Sequence, residues 1–187
     1  FYRPKEKKVQ ADTARASLSV PFGDHLTLLN IWNNWAETGF DSNWCYENFI
    51  QVRSMKRARD VRDQIVSLMN RVEMVLVSNP DDHIAIRKAI ISGYFFNAAR
   101  LQVSGESYRS LKHSQSVHIH PSSTLFKENP RWVVYHELVL TAKEYIRQVT
   151  EIEPDWLLEA APHYYKPSDV EDEKSRKMPK GFGKVSK

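Results

Sequence analysis

The chain has 187 residues, 41% of them hydrophobic and 27% charged, with a formal net charge of +4. That length buries a real core and suits one domain or two small ones, and no apolar run approaches the roughly 20 residues that a membrane helix needs. A mild positive balance permits nucleic-acid binding without requiring it, so the placement of the charges matters more than their sum.

Phe1 to Lys8 is basic and polar with no apolar stretch after it, so no signal peptide is expected. The chain opens on an aromatic pair without Met and reads as a piece of a longer protein. Lys5 to Ser17 reads as a short polar helix, broken by Pro21-Phe22-Gly23. Asp24 is a natural N-cap for the next helix, whose face carries Leu28, Ile31, Trp32 and Trp35. Gly39 stops it in the left-handed conformation.

Ser42 or Asn43 is expected to cap a short helix from Trp44 to Phe49. The single cysteine, Cys45, cannot form an internal disulfide, which fits a reducing compartment, cytosol or nucleus. Its setting, Trp44-Cys45-Tyr46, is that of a small buried hydrophobe rather than a nucleophile.

A long helix follows, roughly Ser54 to Glu73. Met55, Ala58, Val61, Ile65, Leu68, Met69 and Val72 recur on it at helical spacing. Asp81 or Asp82 is placed to cap a further helix running to about Leu101, in which Gly93 suggests a close backbone approach.

From Ser104 the period changes to alternation. Tyr108 to Lys112, Ser116 to His120, Trp132 to Thr141 and Lys143 to Ile152 read as strands, and Pro154 starts a helix to Ala161. From Pro167 the chain is charged and poor in large apolar groups, and a flexible tail is expected, whose deletion leaves the melting temperature unaltered. The fold class is therefore α+β: an N-terminal helical bundle, then a small OB-type β-barrel with a C-terminal helix. Closure would remove exposed strand edges.

Two sets of residues suit nucleic acid. Six basic residues lie between Gln51 and Arg71 against Asp60 and Asp63, and most crowd the first two turns of the long helix. Cations there oppose the helix dipole unless an anion meets them, and the arginine fork suits phosphate. A solvated face with pairs such as Arg59–Asp63 accounts for the same pattern. In the β unit, Tyr108, Arg109, Lys112, His113, His118, His120, Ser122, Ser123, Lys143, Tyr145 and Arg147 offer stacking rings and cations. Tyr108 and Tyr145 equally suit a core with a polar tip. His113, His118 and His120 lack the Cys or carboxylate partners of a zinc site, and no metal is expected.

No phosphate loop, nucleophile elbow or H-E-x-x-H is present. Gly181-Phe182-Gly183-Lys184 is too short for a phosphate loop. No catalytic residue and no cofactor is expected in this chain alone.

Gly23-Asp24-His25-Leu26-Thr27-Leu28-Leu29, Trp44-Cys45-Tyr46-Glu47-Asn48-Phe49 and Arg53-Ser54-Met55 resemble the helical region after the motor of DEAH-box RNA helicases. Ile119-His120-Pro121-Ser122-Ser123 and the run Trp132 to Thr141 resemble their OB-fold. The likeness spans Phe1 to Lys166. The ending Ala161 to Lys166 and Lys177-Met178-Pro179-Lys180 are most similar to the spliceosomal member that acts on the activated spliceosome before the first splicing step.

The resemblance implies the end of a winged-helix domain over 1–4, a helical bundle (ratchet-like) domain over 5–103, an OB-fold over 104–166 and a charged tail over 167–187. It implies that bundle and barrel close over two RecA-like motor domains to form a tunnel for single-stranded RNA. The motors, absent here, would hold ATP and Mg and hydrolyse the nucleotide, so this chain alone is expected to be inactive. Implied partners are pre-mRNA, the motor and winged-helix domains, other spliceosomal proteins and a G-patch activator, in the nucleus. The candidate RNA-binding set is Arg53, Ser54, Arg57, Arg62, Tyr108, Arg109, Lys112, His120, Ser122, Ser123 and Lys143. A second reading makes the same region a protein-interaction platform that docks an acidic partner or regulates the motor.

Overall fold

The computed structural model describes residues 1–171. A short turn, Lys5–Lys7, leads into helix α1, Lys8–Leu18. Helices α2 (Asp24–Glu37), α3 (Ser42–Glu47) and α4 (Val52–Arg71) follow. They gather around Leu18, Ile31, Trp35, Cys45 and Ile50. Trp35 is the largest of these side chains, and its indole N–H donates to the Asp41 carbonyl at 2.9 Å, so the ring is buried without stranding its donor. Asp41, one residue before the expected position, caps α3 by accepting from the Asn43 amide at 2.9 Å. Gly39 takes φ +70° at the end of α2, as its position suggests.

Helix α4 differs from its sequence pattern. Its apolar stripe is spaced for burial, yet none of its residues is buried; only Val52 and Met55 pack against the helical core. Arg59 lies over the Phe40 ring at 4.3 Å and Arg62 over Trp32 at 5.7 Å, so two cations, not two apolar groups, cover that contact. The Arg59–Asp63 pair that a solvated face would offer does not form, and Asp63 lies 3.9 Å from Arg62 instead.

Helix α5, His83–Tyr94, is capped by Asp82, whose carboxylate accepts from the Ala85 amide at 2.9 Å. It stops seven residues before the expected end. Ala98–Leu101 is instead strand β1. Ala-Ala-Arg-Leu carries helical propensity, and pairing with two neighbouring strands overrides it. No neighbour lies within 4 Å of a Cβ placed on Gly93, so the close approach expected there is absent.

Strands β2 (Tyr108–Ser110), β3 (Ser116–Ile119), β4 (Trp132–Leu140) and β5 (Glu144–Glu151) complete a closed barrel in the order β1-β2-β3-β5-β4. All pairs are antiparallel except β3 with β5. Inside lie Ala99, Tyr108, Val117, Ile119, Val133, Tyr135, Ile146 and Val149. A second core on the outside of the barrel joins Ile91 of α5 and Trp132 and Val134 of β4 to Leu157 of α6 (Pro154–Ala160). Packing thus runs across the boundary read at 103.

The ordered chain also extends past Pro167. Helix α7, Pro167–Val170, buries Val170 in that second core, because Asp169 accepts from the Lys166 amide and from Lys112 Nζ, each at 3.0 Å. The rest of the tail expected to be flexible from Pro167, residues 172–187 with Lys177-Met178-Pro179-Lys180 and Gly181 to Lys184, lies outside the described residues.

The two halves are joined at the start of α2. Asp24 does not bond its own helix: its carboxylate accepts from the Val149 amide at 2.9 Å and from the Thr124 amide and hydroxyl at 2.8 and 3.0 Å. Gly23 pairs with Thr150 as an antiparallel bridge, and Glu151 N–H donates to the Phe22 carbonyl at 3.0 Å. A Cβ on Gly23, at φ +123°, would stand 2.3 Å from the Val149 carbonyl oxygen, so only glycine fits. His25 Nδ1 meets Thr150 Oγ1 at 2.7 Å.

Asp24→Ala leaves two backbone amides without an acceptor. It should lower stability by roughly 2–4 kcal/mol. In a thermal melt that is a fall of roughly 5–10 °C. An unchanged melt would mean that the amides find other acceptors.

Burial pushes the His25 imidazole below its ordinary value; the Asp24 carboxylate opposes this and His136 adds to it. The unfolded chain therefore takes up this proton first, so His25-linked stability is present above about pH 6.5 and is lost as pH falls through the lower folded value. His25→Gln should flatten the fall in melting temperature as pH drops below about 6.5. An identical acid limb in that variant assigns the effect to another group.

Candidate nucleic-acid interface

On β2, Tyr108 and Ser110 point into the barrel and Arg109 points out. Arg109 stands opposite Arg100 of β1 and Ser116 of β3. Lys143 lies exposed in the β4–β5 turn, closed by Thr141 N–H to the Lys143 carbonyl at 3.0 Å. The β2–β3 face with the β1–β2 and β4–β5 loops is where OB-folds take oligonucleotides.

Two residues of the sequence-derived set are otherwise employed. Tyr108 is 2% exposed, and its hydroxyl donates to the Pro130 carbonyl at 2.6 Å. Burial, helped by Glu151, pushes its phenol far above the ordinary value. The ring expected beside the RNA is therefore a barrel core residue, since period-two alternation turns it inward. Lys112 is paired with Asp169 and lies 4.9 Å from the centres of both the Tyr164 and Tyr165 rings. Its charge fastens α7 to the barrel instead of standing open to a phosphate.

The 120–125 turn is held from several sides. His120 Nδ1 accepts from the Ser122 amide at 3.1 Å and meets its hydroxyl at 2.7 Å. Ser123 N–H donates to the His120 carbonyl at 2.8 Å, and Ser123 Oγ accepts from the Leu125 amide. Arg15 of α1 donates to the Ser122 carbonyl, and Asp24 of α2 holds Thr124. The turn is thus pre-set, and helices of the N-terminal half help to set it.

Beside it, the outer face of β3 and β5 gathers His118, Tyr145 and Arg147, named among the rings and cations of the β unit but not in the candidate RNA-binding set, next to His120. The rings of His118 and His120 lie 6.1 and 5.5 Å from that of Tyr145, and Arg147 pairs with Glu137 at 3.2 Å. His118 Nδ1, Arg147 Nε and Gln148 Oε1 are buried without a hydrogen-bond partner. Buried polar atoms of this kind normally have one. The alternation Lys143, Tyr145, Arg147 already signalled this face.

Arg53, Ser54 and Arg57 are exposed at the start of α4. Ser54 Oγ reaches Gln51 at 3.0 Å, and among the described residues Arg53 and Arg57 have no ion-pair partner. Arg62 leans over Trp32 with Asp63 3.9 Å away. These residues do not adjoin the barrel set. Arg59 sits at Phe40, beyond the C-terminal end of α2, whereas Asp24 at its N-terminal end holds the barrel. At the helical rise the two ends of α2 stand about 20 Å apart.

Residues 86–164 match the family model described as the oligonucleotide/oligosaccharide-binding (OB)-fold, a domain found in the C-terminal regions of DEAH/RHA helicases. The barrel is an OB-fold. The match begins inside α5, in keeping with the core that α5 shares with β4. An OB-fold of this type supports a nucleic-acid-binding accessory role, and its relatives accompany helicase-type NTP hydrolases.

Tyr108→Phe removes the donor to Pro130 while keeping the ring. It should cost about 1–2 kcal/mol of stability. Oligouridine affinity, read by fluorescence anisotropy, should not change. A clear affinity loss in a still-folded variant would return Tyr108 to the RNA path.

Proposed function

We propose that this chain is the RNA-gripping accessory region of an ATP-dependent DEAH-box pre-mRNA splicing helicase, acting in the nucleus on single-stranded pre-mRNA. The OB-fold, with Arg109 and Lys143 on its ligand-bearing side, is the observation that carries this reading. Arg53, Ser54, Arg57 and Arg62 form a second contact, on a helix packed at the end of α2 away from the barrel. A ligand touching both sets must be an extended chain, which favours a single strand over a compact anion. Single strands also expose the bases that rings such as Tyr145 stack on. His120, Ser122 and Ser123 supply hydroxyl, amide and imidazole groups on a turn that cannot relax away from the strand.

ATP and Mg belong to RecA-like motor domains of the longer protein, which supply hydrolysis and translocation; this chain holds the strand between steps. The helices that precede β1 and the barrel that β1 opens would then be the two jaws, with partners among spliceosomal proteins and a G-patch activator. The sequence likeness to the helicase that acts before the first splicing step supports that placement.

The test is fluorescence anisotropy of labelled oligouridine at two salt concentrations, with a duplex of the same length alongside. Single-strand binding should weaken with salt at a slope near −0.7 per neutralised phosphate. Arg53→Glu with Arg57→Glu should lower affinity about tenfold or more without shifting the melt, since both side chains are exposed. Equal affinity in that variant removes α4 from the RNA path; a preference for duplex overturns the gripping role.

A further inference from the structure

The C-terminal part of α4 carries a feature that RNA binding does not use. Val61, Ile65, Leu68 and Val72 are 45, 51, 56 and 65% exposed. With Ala58 they recur at alternating spacings of three and four, the seam of a helix that packs along another helix. Helix α4 already meets the helical core through a different face, that of Val52, Met55, Arg59 and Arg62. Among the described residues the seam therefore faces no neighbour, and Met74 and Leu76 leave the helix 58 and 51% exposed as well. Contiguous apolar surface of this extent marks an interaction site.

The flanks identify the occupant. The positions bordering the seam are Arg57, Gln64 and Arg71 on one side and Arg62 and Met69 on the other, with no acid on either. Asp60 and Asp63 fall on the side of the helix away from the seam. A second copy of this chain would bring these arginines against their equivalents. The remaining segment, 172–187, has six basic residues and two acidic ones and would meet the same repulsion. An RNA strand would find no apolar counterpart for the valines and leucine.

We propose that the Ala58–Val72 face of α4 is a docking site for an amphipathic protein helix that lays an apolar seam on it and carries Glu or Asp along both flanks. Three to four turns of that helix would match the seam, and its acids would face Arg57, Arg62 and Arg71. The apolar positions Val61, Ile65, Leu68 and Val72 lie outside the candidate RNA-binding set, while the flanking Arg57 and Arg62 belong to it, so the Leu68 variants separate this inference from RNA binding.

The probe is a labelled designed peptide of four helical turns with a Leu/Ile seam and Glu at the flanking positions, used where it is monomeric. Its counterpart has the same seam with Lys at the flanks. The Glu peptide should bind in the micromolar range and at least about tenfold more tightly than the Lys peptide, with the difference shrinking in high salt. Leu68→Glu should abolish binding, and the gentler Leu68→Ser should weaken it about tenfold, with melting temperature and oligouridine affinity unchanged in both. Absence of binding overturns the proposal. So does equal binding of the two peptides, which would show apolar adhesion alone, or self-association of the chain in sedimentation that Leu68→Ser removes.

Discussion

One carboxylate decides how the two halves of this protein sit. Asp24 opens a helix of the N-terminal half but spends its acceptor capacity on the barrel, on the amide that follows the left-handed Gln148 and on the turn after β3. Charge-assisted bonds to backbone amides are among the stronger ones, and both amides are partly buried, so the alternative is two stranded donors. Gly23 makes the approach possible and His25 extends it. Around this contact Phe22 stacks on His83 at 4.5 Å, and the Arg87 guanidinium lies between Phe22 and Trp156 at 4.2 and 4.8 Å. Bundle, barrel and flanking helices therefore meet at one junction.

That junction links structure to binding. The turn bearing His120, Ser122 and Ser123 is anchored by Arg15 and Asp24, which belong to the helices. A ligand bound at this turn would meet groups whose positions the helical half fixes. Pre-set donors lose little freedom on binding, so less of the interaction is offset by ordering.

Much of this was legible in the sequence. Strands β2 to β5 showed in their alternation, the caps at α3 and α5 in short polar residues at or beside the observed position, and Cys45 in its aromatic setting. Burial with a neighbouring Asp41 now holds that thiol above its usual range. Strand β1 was not legible, because Ala98 to Leu101 becomes extended only through partners on either side. The junction was hidden because a cap and a long-range acceptor are the same residue type: local pattern can say that Asp24 accepts hydrogen bonds, not whose. Tyr108 was ambiguous for a similar reason, since a ring that stacks on a base and one that fills a barrel look alike until the strand's inward face is known. In α4, spacing announced an apolar contact without revealing that no described residue covers that stripe.

The span of α2 has a further consequence, for which changes in length this protein tolerates. Asp24 at one end and Trp35 at the other are each committed to a different core. Adding one residue between them would rotate the two ends by about 100° relative to each other. No loop lies between them to absorb the turn, so either the carboxylate or the indole would leave its site. Substitution within α2 is open wherever a side chain faces water, but insertion and deletion are closed along its length, and the spacing between the two cationic surfaces is inherited as a fixed unit.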